Sequence, residues 1–325
     1  MTRSLRHTLV GIALLATIGC GESPVTPTSG NGAQGRAYLE QMIAIMEANS
    51  INRLTIDWNA FRQTVLAQVS TTASIADTDA AILTALQLLG DGHSGYIAVS
   101  GTTISAPTHR CTPANLSAPP LPATIGYVKV GGFSGLGAAA TTFADGIQNA
   151  IRSADRDDVI GWIVDTRGNT GGNMWPMIAG VGPILGEGVA GYFIDPTGRE
   201  TSWEYRDGAS WVGSAVAQRV TAAYTVRREL PRVAVLTDNA VASSGEATVI
   251  AFRQRRGTRS FGAGTCGLST ANSTFTLSDG ATLVLTTAVL ADRTHAPYGR
   301  SVEPDEPTLN ADAFDRAVTW LLNGG

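Results

Sequence analysis

The chain has 325 residues, 43% of them apolar, and a net charge of −4. That length allows a large core in one or two domains. No long basic stretch is present, which argues against nucleic acid as a partner. The densest cationic cluster, Arg253, Arg255 and Arg256, ends an expected helix, where cations favour the helix dipole.

Residues 1–20 read as an export signal rather than part of the fold. Arg3 and Arg6 form a basic start, and Leu9 to Gly19 is apolar but too short to span a bilayer. Small residues ahead of Cys20 resemble a bacterial lipoprotein signal. The resemblance implies lipidation of Cys20 and an anchor facing the periplasm or the cell exterior. Thr17 stands where such signals usually carry leucine, so plain secretory cleavage is the alternative. Residues 21–35 are rich in Pro, Gly, Ser and Thr and read as a flexible tether. Cys111 and Cys266 then remain, and an oxidising compartment would let them pair; two separate buried thiols are the alternative.

Helical apolar spacing recurs at 36–48, 57–69 and 77–89, the last with Asp77 as expected N-cap. These segments predict a small N-terminal helical domain over 36–106. Five prolines between Pro107 and Pro122 make 107–124 a loop or linker. A mixed α/β core is expected over 125–325. Its strands are 125–133, 159–168, 189–195, 201–208 and 232–238, and its helices are 141–154, 174–185, 243–255 and 312–322. A hairpin over 275–292 turns at Asp279-Gly280. Strands alternating with helices predict a βα core with right-handed crossovers.

Three motifs carry chemistry: GDGHSGY at 90–96, DTRGNTGGN at 165–173 and ASSGEA at 242–247. A serine between a strand and a helix sits where free N–H groups and the dipole favour an oxyanion. Ser243 or Ser244 could equally be a plain N-cap, with Glu246 completing a capping box. The paired glycines Gly171 and Gly172 let a backbone amide turn toward a carbonyl, or make only a tight turn. Four histidines occur in the chain, and His7 leaves with the signal. His109 lies among prolines and His295 in a charged loop, whereas His93 is embedded in a motif. Asp91 or Ser94 could orient its ring. No His and carboxylate spacing suits a metal, and no cofactor is expected.

In this order the three motifs resemble the tail-specific, or C-terminal processing, serine proteases, over roughly residues 80–310. That resemblance implies a crotonase/ClpP-like ββα core. Carried over residue by residue, it implies Ser243 as nucleophile, three residues before Glu246. It implies an oxyanion hole from the N–H of Ser244 and that of Gly171 or Gly172. GRSVEPD at 299–305 resembles the late Pro-Asp motif, with Asp305 as its acid. Many members pair the serine with a lysine in the segment matching GAGTCGLS. Leu268 occupies that place, and Lys129, in the strand YVKV, is the only lysine of the chain. The tricorn-like branch uses histidine, which His93 matches, supported by a late glutamate. Tyr298 stands at that position here, with Glu303 nearby. Only about thirty residues separate Tyr96 from Tyr127, too few for the PDZ domain that many members carry.

These readings converge on an exported serine endopeptidase of the C-terminal processing type. His93 would take the Ser243 proton and return it to the leaving amine. Peptide or protein is the expected substrate, and the lipid anchor the only expected membrane contact; the sequence says nothing of the oligomeric state. An esterase or amidase acting on small acyl compounds would use the same chemistry. A non-catalytic binder of peptides or apolar ligands on the same fold is the third reading. Cys266 lies in the segment that should border the cleft, so a Cys111–Cys266 bridge would pin the proline-rich loop over it.

Overall fold

A computed structural model describes residues 34–112 and 120–324. The export signal, nearly all of the tether and residues 113–119 of the proline-rich loop lie outside the described residues.

Every residue of strand β4 (Gly161–Asp165) is buried, as a parallel strand covered on both faces must be. It lies inside a five-stranded sheet of order β13-β10-β9-β4-β3. The other members are β3 (Ile125–Lys129), β9 (Arg232–Thr237), β10 (Thr258–Gly262) and the short β13 (Glu306–Pro307). All pairings in this sheet are parallel. Side chains alternate between its faces. Trp162, Val164, Val233 and Val235 join the cluster of α4 (Gly137–Ala154), α5 (Met174–Leu185) and α6 (Ser244–Phe252). Ile163, Ala234 and Leu236 join Phe314 and Leu321 of α7 (Ala313–Leu322) on the other face.

The second sheet is antiparallel and has eight strands. Its path runs β2-β1-β12-β5-β6-β7-β8, with β11 on β12. These are β1 (Gly95–Ile97), β2 (Thr103–Ser105), β5 (Gly188–Ile194), β6 (Glu200–Arg206), β7 (Ala209–Val212), β8 (Ala215–Arg219), β11 (Thr270–Thr276) and β12 (Thr282–Asp292). The β11–β12 hairpin is the one expected at Asp279-Gly280. Strands β1, β2, β7, β8, β10 and β13 were not anticipated. β2 and β8 bury no residue fully and lack the apolar alternation that marks a half-buried strand.

Helices α1 (Gln34–Asn49), α2 (Trp58–Leu66) and α3 (Asp79–Leu89) pack against this second sheet. Tyr38, Met42, Phe61, Ile82 and Leu86 share one apolar cluster with Leu277, Leu283 and Leu285. Helix α3 begins two residues after Asp77. The Asp77 carboxylate instead accepts the Ser74 N–H and hydroxyl, closing a 3-10 turn over Ile75–Asp77. The cationic cluster after α6 also acts differently from the expectation. Buried Arg255 donates to the carbonyls of Ile184 and Leu185, so it completes the C-terminus of α5 rather than of its own helix.

Candidate active site

Strands β4 and β9 are adjacent and parallel, so the loops after both emerge at the same edge of the sheet. Ligand crevices in such sheets form outside the carboxyl ends of the strands. The first loop carries Asn169, Gly171 and Gly172, and the second leads into Ser243 and α6.

The two loops meet backbone to backbone. The Ala242 N–H donates to the Asn169 carbonyl at 3.0 Å. A Cβ on Gly171 would lie 2.8 Å from the Ala242 oxygen and 2.9 Å from Ser243 Cβ. One on Gly245 would lie 2.4 Å from the Asn169 carbonyl oxygen. Both positions therefore need glycine, and Gly171 does so doubly because its φ is +97°.

Ser243 precedes α6 with φ +53° and ψ −118°, a conformation unusual for a residue with a side chain. Such a backbone costs about 1–3 kcal/mol and persists only where its surroundings impose it. Here Glu246 does so. Its buried carboxylate accepts the Ser243 N–H at 2.9 Å, the Gly267 N–H at 2.9 Å and the Thr265 hydroxyl. Burial pushes the Glu246 carboxyl up to about 7, against these stabilising donors. The Ser243 hydroxyl faces the Glu246 amide in a capping-box arrangement, but too loosely to count as a cap hydrogen bond.

The Gly171 N–H is taken by Asn169 Oδ1 at 2.9 Å. Among the described residues, the N–H groups of Gly172 and Ser244 have no hydrogen-bond acceptor. The Ser244 hydroxyl donates to the Gly172 carbonyl at 2.6 Å, tying the two residues together. Both line a cavity of about 320 Å³ with Ser243, Trp175, Phe193, Thr270 and Leu290.

His93 follows α3, whose C-terminus is closed by left-handed Gly90. Asp91 accepts the His93 N–H, the Ser94 N–H and the Ser94 hydroxyl, so it shapes the turn rather than the ring. His93 Nδ1 stands 2.7 Å from Thr270 Oγ1. Burial holds the imidazole below its ordinary value; the Asp91 carboxylate opposes this and His109 adds to it. No direct hydrogen bond joins Ser243 to His93 among the described residues. Thr270 connects them, lining the Ser243 cavity while contacting the His93 ring.

None of Asp91, Ser94, Tyr298 and Glu303, the residues expected to support the histidine, hydrogen-bonds to its ring, nor does Glu246. Ser94 Oγ turns to Asp91 and accepts the Thr286 N–H. Tyr298 donates to Asp292, Glu303 lies beside Gly264, and Glu246 holds the serine segment. Asp91, Ser94, Tyr298 and Glu246 are engaged by nearer partners, and Glu303 is exposed with no hydrogen bond among the described residues. Asp305 pairs with Arg253 and accepts from Ser260, a link between β10 and the segment before β13. Lys129 donates to the Arg167 carbonyl at 2.6 Å and pairs with Asp165 at 3.3 Å. Cys111 and Cys266 form a disulfide with their Cα atoms 5.1 Å apart. The bridge holds the His109 imidazole against Gly267, beside the Glu246 acceptor. Thr270 was missed because a threonine inside a polar strand carries no signal of its own.

The family model for peptidase family S41 matches residues 124–308, more than half of the chain. The chain therefore belongs to peptidase family S41, and the class its fold and site define is the serine-type peptidase. The nisin-resistance protein of Lactococcus lactis subsp. lactis is 30% identical over 190 residues. That match covers 58% of this chain and 57% of the relative, so the chain spans little more than half the relative's length. A lipoprotein of Streptococcus agalactiae has the same fold, with a TM-score of 0.71 at 22% identity, over 94% of this chain and all of that one. A peptidase-like protein of Parabacteroides merdae superposes with a TM-score of 0.61 at 17% identity, over 90% and 98% of the two chains. The photosystem II D1 C-terminal processing protease gives 0.59 at 16% identity, over 87% and 97%.

Proposed function

We propose that the protein is an exported serine endopeptidase of the C-terminal processing type, with Ser243 as nucleophile and His93 as general base. The observation that carries the reading is the positive-φ backbone of Ser243 beside the amides of Ser244 and Gly172, which have no acceptor among the described residues, in one cavity. His93 Nε2 takes the Ser243 proton as the oxygen attacks the peptide carbonyl. The negative charge that develops falls to the N–H groups of Gly172 and Ser244 at the start of α6. His93 then protonates the leaving amine, and water releases the acyl group by the reverse steps. Thr270 holds Nδ1 and so fixes the ring. A base whose protonation is disfavoured by burial is neutral, and competent, at neutral pH.

Export and anchoring at Cys20 belong to the same proposal. The L. lactis relative is a resistance protein against nisin by name, and the S. agalactiae neighbour is a lipoprotein by name. Both descriptions suit a protein working at the cell surface. No helix among the described residues is long and apolar enough to cross a membrane.

The test is labelling of the exported protein by a fluorophosphonate, with peptide mapping, alongside mass-spectrometric detection of peptide cleavage. Modification at Ser243 and cleavage lost in Ser243→Ala support the reading. Cleavage retained in that variant, or small esters turned over while peptides are not, overturns it. Cys20→Ala should move the protein from the membrane fraction to the medium or periplasm.

A further inference from the structure

A second cavity, of about 490 Å³, adjoins the nucleophile's cavity and shares Phe193, Ala271 and Asn272 with it. Its walls come from the end of α1, the β5–β6 turn, and β11 with β12. The residues lining the first cavity are all uncharged. The charged residues lining the second are Arg53, Arg199 and Asp195, a net of one positive charge.

Asp195 is committed to its own turn. Its Oδ1 accepts the Thr197 N–H at 2.8 Å, the Thr197 hydroxyl at 2.6 Å and the Arg199 N–H at 3.1 Å. Its Oδ2 faces both guanidinium groups but hydrogen-bonds to neither, at 3.6 Å from Arg53 Nη2 and 3.7 Å from Arg199 Nε. One carboxylate oxygen thus sits between two cations whose planar donor forks have no hydrogen-bond acceptor among the described residues. The Arg53 side chain is only 18% exposed, so its alignment toward the cavity is imposed by packing; Arg199, 81% exposed, is free to swing in. A desolvated guanidinium with open donors is a matching partner for a carboxylate, which it holds by paired, charge-assisted hydrogen bonds.

We propose that this second cavity is a carboxylate subsite of the substrate cleft, with Arg53 as its fixed donor and Arg199 as its mobile one. The inference rests on the peptidase reading of Ser243. An extended peptide whose scissile bond lies at Ser243 would pass through the uncharged cavity and present a carboxylate to Arg53. That carboxylate is either an Asp or Glu side chain or the peptide's own C-terminus.

The experiment uses a set of synthetic fluorescent peptides of one neutral sequence. One member carries a single Glu at successive positions, one carries Gln instead, and each is made with a free or an amidated C-terminus. Binding to the Ser243→Ala protein is read by anisotropy, and cleavage by the wild type is read in parallel. A peptide with the carboxylate should bind about tenfold more tightly than its neutral analogue, the ratio expected of one charge-assisted hydrogen bond. That ratio should fall to near one with Arg53→Gln and recover in part with Arg53→Lys, with thermal melting checking that each variant folds. A gain from the free terminus alone identifies the C-terminal carboxylate, and a gain from Glu in an amidated peptide identifies a side chain. Equal binding of charged and neutral peptides, or a ratio that survives Arg53→Gln together with Arg199→Gln, overturns the subsite. Cleavage without carboxylate preference would remove the subsite and leave the peptidase. A carboxylate-dependent affinity without any cleavage would remove the peptidase and leave the subsite.

Discussion

Thr270 Oγ1 lies 2.7 Å from His93 Nδ1 and lines the same cavity as Ser243. The orienting partner of the histidine is thus a neutral hydroxyl from β11 rather than a carboxylate. A hydroxyl can hold the ring in place, but because it both donates and accepts it does not fix the tautomer, and it adds no negative charge to stabilise an imidazolium.

Thr270→Val should therefore lower kcat by about fivefold, the worth of one neutral hydrogen bond, with KM changed little. Thr270→Ser should restore most of it. His93→Ala should cost as much as removal of the nucleophile, because such pairs act as a unit. Steady-state kinetics on one peptide decides this. A Thr270→Val enzyme with full kcat would remove threonine from the relay.

Ser243→Ala should abolish cleavage, with a loss on the order of 10³-fold or more. Ser244→Ala should be far milder. It keeps the backbone amide but frees the Gly172 carbonyl that the hydroxyl holds at 2.6 Å. Rates of the two variants side by side are the check, and a dead Ser244→Ala enzyme would shift the nucleophile by one position.

Gly171→Ala should destabilise the protein by about 1–3 kcal/mol from the backbone conformation alone. The added methyl also meets the Ala242 oxygen at 2.8 Å, so the serine loop must move. Thermal melting should fall together with activity. A variant that melts like the wild type would mean that the two loops are not docked as described.

Two ionisations act in opposite directions. His93 is held below its ordinary value near 6.5, so activity should rise with pH along a limb centred below that value. Its contribution to stability is present above the unfolded value and is lost as pH falls through the folded one. Glu246 is raised from 4.5 to about 7, so its contribution is present below 4.5 and lost as pH rises through about 7. Relative to Glu246→Gln, the wild type should lose stability across that window. Melting curves of both proteins in a pH series test this, and a gap independent of pH would refute it.

The Cys111–Cys266 bridge spans 155 positions and should contribute about 2–4 kcal/mol. Reduction should lower the melting temperature. It should also reduce cleavage, because Gly267, next to Cys266, donates to the carboxylate that holds Ser243. Unchanged activity after verified reduction would confine the bridge to stability.

The parts of this protein that follow local rules were legible in its residues. Apolar spacing located the helices of the N-terminal region to within a few residues, because a helix buries a stripe that recurs every three or four positions. The buried parallel strands showed as short apolar runs, and Asp279-Gly280 marked a hairpin. Strand β8 was silent because it is a polar sheet edge, and β7 and β10 because runs of four and five residues are too short to show an alternation. Side-chain partners were less legible still. Asp91 and Ser94 were plausible supports for His93 by their place in its motif, and Tyr298 and Glu303 by the family resemblance, yet Asp91, Ser94 and Tyr298 are engaged elsewhere and Glu303 does not reach the ring. Thr270 stands 177 positions from His93 in the chain and reaches it only because β11 folds back along β12. Periodicity is a property of neighbouring residues, which the sequence alone determines. Contact between distant residues depends on how the sheets and helices pack, and only the tertiary structure decides it.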